Sequence, residues 1–182
     1  MVKIGDWLSE AWQIISEDLV THLILALIVG LGTSITGGLL WGPLMGGYLW
    51  VIFSKMKNPS YTPEVGDVGK GFENFVNLFL VAIVGGIIAS LGILACGIGV
   101  IFTSALVVLA LPLVVEGRMS FWPAITESIN KTKQNLMSWV VFVLVISVIN
   151  AIGGAVVVGF LITIPITAGM MALAFMGFTG MA

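Results

Sequence analysis

Residues 74–115 read NFVNLFLVAIVGGIIASLGILACGIGVIFTSALVVLALPLVV, a stretch without a single Asp, Glu, Lys, Arg or His. A helix that crosses a bilayer needs about 20 apolar residues, so this run is long enough for two crossings. Near its middle, Cys96-Gly97-Ile98-Gly99 supplies the small, permissive residues that let a chain reverse. Two further stretches, Leu23–Ser54 and Gln134–Ala182, are equally free of charge. The first, extended back to Leu19, is interrupted by Thr36-Gly37-Gly38 and then Gly42-Pro43, where glycine tolerates a turn and proline opens a new helix. The second is interrupted near Val158-Gly159, with Gly153-Gly154 as another candidate break.

Helices are therefore expected at 20–36, 40–56, 74–95, 98–115, 136–157 and 160–180. The fold class is all-α: a polytopic integral membrane protein of about six transmembrane helices, arranged as three hairpins with amphipathic interfacial helices. Residues 1–182 form one membrane domain, divided into an N-terminal amphipathic helix at 1–19, a hairpin at 20–56, a cytoplasmic loop at 57–73, a hairpin at 74–115, an amphipathic connector at 116–135 and a hairpin at 136–182. Composition agrees. The chain is 59% hydrophobic and 9% charged, against about 25% charged in a soluble domain, and so apolar a chain needs lipid as its solvent. With only seven Lys and Arg residues there is no basic stripe, and nucleic acid is excluded as a partner.

Charge position sets the sidedness. With six crossings, Lys3, Lys55, Lys57, Lys70, Arg118, Lys131 and Lys133 all fall on one side, together with both termini. Positive residues stay in the cytoplasm during insertion, which predicts a prokaryotic cytoplasmic (inner) membrane protein with cytoplasmic termini. A five-crossing version would separate Lys3 from the other six, and a re-entrant first hairpin would leave backbone uncovered at membrane depth. Both rank below six crossings. Asp6, Glu10, Glu17 and Asp18 interrupt what would otherwise be a cleavable signal, so the first apolar segment reads as an uncleaved signal anchor. Trp7, Trp12, Trp50, Trp122 and Trp139 map near the charged face as candidate interfacial anchors, and Trp41 maps near the other.

Two segments are amphipathic. Ile4, Leu8, Trp12, Ile15 and Leu19 repeat at helical spacing opposite Asp6, Glu10, Gln13 and Glu17, the pattern of a helix lying on the membrane surface or docked on the protein's own loops. After Arg118, Trp122, Ile125, Ile129, Thr132 and Leu136 line one face, and Glu127 and Lys131 are paired four residues apart on the other.

Sites for chemistry are scarce. Cys96 is the lone cysteine, which excludes an intrachain disulfide or a thiolate metal cage. Gly66-Asp67-Val68-Gly69-Lys70-Gly71 has the wrong glycine spacing for a phosphate loop and no Ser or Thr after its lysine. Asn130-Lys131-Thr132 fits a glycosylation acceptor, but on the wrong side. No ionisable residue lies within the helices, the usual signature of a membrane pump. His22, near Glu17 and Asp18, is read as a hydrated interfacial histidine. With no nucleophile–base pair, metal cluster or paired carboxylates, the chain is expected to be no enzyme and to carry no cofactor or metal.

What the helices do have is small residues. Gly30, Ser34, Gly38, Gly42 and Gly46 recur every four positions, and Gly85, Gly86, Ala89, Gly153, Gly154 and Gly169 continue the theme. Such faces let helices approach closely in lipid, which makes these the candidate packing residues.

Gly42-Pro43-Leu44-Met45-Gly46-Gly47-Tyr48, Gly71-Phe72-Glu73-Asn74-Phe75, Leu111-Pro112-Leu113-Val114-Val115-Glu116-Gly117 and Ser120-Phe121-Trp122-Pro123-Ala124-Ile125 together resemble bacterial and archaeal multi-helix membrane families akin to the membrane domain attached to some glycerophosphodiester phosphodiesterases. The resemblance spans residues 40–175. It implies a six-helix fold and no activity, because the phosphodiesterase domain is missing. The sequence thus points first to a noncatalytic membrane subunit or scaffold, with the lipid bilayer and either copies of itself or other membrane-protein subunits as partners. The alternative is a passive channel or carrier for an apolar or neutral solute such as a lipid, with a cavity lined by Thr33, Ser34, Thr36, Thr103, Ser104, Ser147, Asn150 and Thr163.

Overall fold

The computed structural model describes residues 3–94, 99–156 and 158–179. Among them the chain forms ten α-helices: α1 (Ile4–Glu17), α2 (Leu19–Ile35), α3 (Trp41–Lys57), α4 (Lys70–Glu73), α5 (Phe75–Leu91), α6 (Gly99–Val107), α7 (Ala110–Val115), α8 (Phe121–Thr132), α9 (Leu136–Ala155) and α10 (Phe160–Thr179). Short 3₁₀ turns at Val65–Gly69, Gly92–Leu94 and Lys133–Asn135 complete the described chain. The long helices occupy the charge-free stretches. The turn expected around Cys96-Gly97 lies outside the described residues. By length and composition two helical runs, Phe121–Ala155 and Phe160–Thr179, can cross a membrane. The number rises to four if each of two bent pairs, α1 with α2 (103°) and Val65–Glu73 with α5 (83°), is one span.

α3 is the hub. Every residue from Gly42 to Leu49 and from Val51 to Phe53 is buried, and α2, α4, α5, α7 and α10 all pack on it. The reason is legible in WGPLMGG. Gly42 faces the Leu78 carbonyl and the Ala82 methyl of α5, Gly47 faces the Val68 carbonyl, and Gly71 faces the Pro43 carbonyl. At each of these positions a methyl group would strike backbone, which cannot swing aside as a side chain can.

Helix register around α3 creates an empty space. From Gly46 to Gly42, α3 runs antiparallel to α5 from Leu78 to Ala82. The nine residues from Ile83 to Leu91 therefore carry α5 past the first turn of α3 by about 13 Å at 1.5 Å per residue. Around that vacant axis α2 packs on α10, α10 on α9, α9 on α6 and α6 on α5. α2 and α5 flank the α2–α3 turn, whose Gly37 and Gly38 have φ of 59° and 90°, values that favour glycine.

Two expectations change. The helix expected at 98–115 is broken: α6 ends at Val107 and α7 begins at Ala110. Pro112 has no N–H to give the ladder, and α8 repairs the break, since Ser128 Oγ donates to Leu106 O (2.7 Å) and accepts from the Leu109 N–H (3.2 Å). Secondly, α1 lies on the protein's own helices rather than on its loops or on lipid alone. Trp7, Ala11 and Ile15 are buried; Ala11 sits where a Cβ on Gly169 would need to be, and the Trp7 ring lies over Gly177 and edge-on to Phe142.

The charged segments meet at one end. Lys55 Nζ holds Glu17 (3.1 Å) and Asp18 (3.0 Å) across the sharp bend between α1 and α2. Lys57 pairs with Glu116, and Asn77 Oδ1 accepts the Phe121 N–H (3.1 Å), fixing the start of α8 against α5.

Two substitutions test this packing. Gly47→Ala is expected to cost about 3 kcal/mol or more, whereas Gly86→Ala, with open space at its Cβ, is expected to be neutral or to stabilise by up to about 1 kcal/mol. Equal effects of the two in a denaturant titration in detergent would overturn the hub. Ser128→Ala leaves the Leu109 N–H unpaired and Leu106 O with the Thr132 hydroxyl (3.2 Å) as its remaining side-chain donor, and is expected to cost about 1–3 kcal/mol in the same titration.

Candidate functional site

The vacant axis above α3 is a cavity of about 860 Å³, within the range of about 300–1,000 Å³ typical of small-molecule sites. Trp41 and Met45 of α3, with Leu111 of α7 and Met171 of α10, line its α3 side, and side chains of α2, α5, α6, α9 and α10 make its walls. A smaller hollow of about 370 Å³ adjoins it between the α2–α3 turn and α5, sharing Thr33, Trp41 and Ala82.

Small residues make the room. Gly30, Ser34, Gly85, Gly86 and Ala89, all read from the sequence as packing positions, line the cavity instead of filling it. Gly30 still packs: the Phe160 ring occupies the place of its missing Cβ, 2.6 Å from where that atom would stand, and Phe160 thereby becomes wall. The remaining candidates divide. Gly42 and Gly46 pack on α5, Gly153 on Thr163 and Gly169 on α1, whereas Gly38 belongs to a turn and Gly154 meets nothing within 4 Å. Close packing at Gly47, Gly71 and Gly92 was missed, although each glycine stands plainly in the sequence; only the fold shows what faces it.

Of the eight polar residues expected to line a carrier cavity, Thr33, Ser34, Ser104, Ser147 and Asn150 do so. The other three have different work. The Thr36 hydroxyl closes the end of α2 on Gly32 O (2.7 Å), Thr103 reaches across to Ala89 O (2.8 Å) and joins α6 to α5, and Thr163 packs against Gly153. Among the described residues no ionisable side chain lines the cavity. An ion or a charged headgroup placed there would be desolvated without a counter-charge, at a cost of several kcal/mol or more.

His22 stands apart from the cavity, fully buried between α2 and α3, and not at a hydrated interface as expected from sequence. Its Nδ1 lies 2.9 Å from Tyr48 Oη, and its Nε2 has no hydrogen-bond partner among the described residues. The candidate anchors divide too. Trp12 and Trp122 are exposed, and Trp50 is partly buried, edge-on to Tyr61. Trp7 and Trp139 are interior residues that meet Phe142, so they anchor helices to one another and not to the interface.

Comparisons with protein-family models, with curated proteins and with solved structures found no match.

Proposed function

We propose that this protein sits in a prokaryotic cytoplasmic membrane with its six apolar helical segments crossing the bilayer and its charged end and termini in the cytoplasm, and that it holds an apolar, neutral molecule in the cavity above α3. The observation that carries this reading is the cavity itself: a space of about 860 Å³ with apolar walls and a few hydroxyl and amide groups. A cavity with this lining favours molecules that already partition into lipid, because entry then costs little desolvation. The adjoining hollow beside Gly37, Gly38 and Ile83 is the side entrance, leading from the lipid of the outer half of the bilayer. A carrier of this kind needs no ion and no catalytic group, in keeping with α2, α5, α6, α9 and α10, which contain no Asp, Glu, Lys or Arg.

One observation favours the scaffold reading as second. Ala151, Gly154 and Ala155 form an exposed small-residue face on α9, the kind of surface that admits another helix in lipid. The other small-residue faces are used inside the chain or line the cavity.

Trp41 lines the cavity and reports on it. In nanodiscs, a terminally brominated alkane is expected to quench a saturable component of tryptophan fluorescence that is lost in Trp41→Phe, with an apparent affinity about tenfold weaker in the cavity-filling variant Ser104→Phe. Quenching that rises linearly with probe and is the same in all three proteins would sink the reading. A stable homo-oligomer that dissociates on Gly154→Leu, found together with that linear quenching, would put the scaffold first.

A further inference from the structure

We propose that the cavity selects its occupant by a hydroxyl group, held between Asn150 of α9 and Thr167 of α10, so that the ligand is an apolar alcohol and not a bare hydrocarbon, an ether or a carboxylate. This rests on the cavity reading above and narrows it to a class of molecule.

Asn150 Nδ2 donates to Ile146 O (2.9 Å) and to Thr167 Oγ1 (2.9 Å). An amide nitrogen has two protons, and both are used. The group Asn150 has left is Oδ1, an acceptor. Thr167 Oγ1, having accepted from Asn150, keeps its own O–H to give. Elsewhere in the helices threonines spend that proton on the carbonyl four residues earlier: Thr36 on Gly32, Thr132 on Ser128, Thr179 on Phe175. Thr167 makes no such bond among the described residues, and it lines the cavity with Asn150. On the α2 wall Thr33 also lines the cavity, but its Oγ1 is buried in the wall without a hydrogen-bond partner among the described residues.

One free acceptor beside one free donor matches a group that both gives and takes a hydrogen bond, and a hydroxyl is the smallest that does. Its proton goes to Asn150 Oδ1 and its oxygen takes the proton of Thr167. An ether or ketone accepts only, which leaves Asn150 Oδ1 desolvated and unpaired. A carboxylate brings a charge to a wall that has no cation. Depth sharpens the choice. Asn150 lies fourteen residues beyond Leu136, about 21 Å along α9 and past the middle of a hydrocarbon core about 30 Å thick. Lipid at that depth offers an alcohol no hydrogen-bond partner, so the pair supplies what the membrane cannot.

The test uses the full-length protein in nanodiscs, with the Trp41-dependent component of fluorescence as readout. The probes are a terminally brominated long-chain primary alcohol and its methyl ether of equal chain length. The alcohol is expected to bind about tenfold more tightly than the ether, the worth of one satisfied hydrogen-bond pair. Asn150→Leu is expected to bring the alcohol-to-ether ratio to within about twofold of unity, whereas Thr167→Val, which removes a donor that either oxygen accepts from, is expected to weaken both probes alike and to keep the ratio. The wild-type comparison of the two probes stands by itself, so the test survives if Asn150→Leu does not fold. An equal affinity for alcohol and ether in the wild-type protein, or a preference that survives in Asn150→Leu, overturns hydroxyl selection while leaving the cavity reading in place. Absence of Trp41-dependent quenching by both probes overturns both.

Discussion

Everything in the fold depends on how closely other elements approach α3. At Gly42, Gly47 and Gly71 the spacing between backbones leaves room for hydrogen atoms and nothing larger. In lipid there is little hydrophobic gain from bringing two helices together, so dispersion contacts over short distances must hold them. The chain meets that condition by placing glycines where α5, the 3₁₀ turn at Val65–Gly69 and α4 meet its central helix. α5, the 3₁₀ turn and α4 settle on α3, and α2, α7 and α10 fill the remaining sides.

The second constraint is that no backbone group can be left unpaired where water is absent. The structure breaks its helices in several places, and at some of them a side chain of modest polarity takes up the freed backbone groups. Ser128 takes up the carbonyl and N–H freed between α6 and α7, Thr36 closes the end of α2, and Thr103 ties α6 to α5. Such residues resemble pore linings when read from sequence. Two residues expected to line the cavity, Thr36 and Thr103, are instead occupied with the backbone, and this separates structural polarity from the groups still free at the cavity wall: Asn150 Oδ1 and the Thr167 hydroxyl.

The charged end works differently. Lys55 is nearly enclosed, its side chain 10% exposed, and two carboxylates hold it where α1 turns across the bundle. Surface ion pairs contribute little on their own; here the low exposure and the double partnership make the contact a fixed joint between α1, α2 and α3. The joint leaves α1 on α10, so the half of α10 farthest from the cavity is clamped while its first turns form cavity wall.

The sequence by itself determined the helices, the grouping of charge and the amphipathic segments, because hydropathy, glycine and proline act on the chain locally and leave a periodic record. Runs without charge located α2, α3, α5, α9 and α10 within a few residues, and the amphipathic character of α1 was evident, although its buried face is Trp7, Ala11 and Ile15 while Leu8, Trp12 and Leu19 of the expected face are exposed. What only the tertiary structure decided was register. Whether α5 runs on beyond α3, whether Gly30 meets a ring or Gly86 meets open space, and whether Thr163 or Thr167 lines the cavity depend on where one helix stops beside another. No local pattern encodes that offset; it arises from the fit of surfaces far apart in the chain, and the cavity is its direct product.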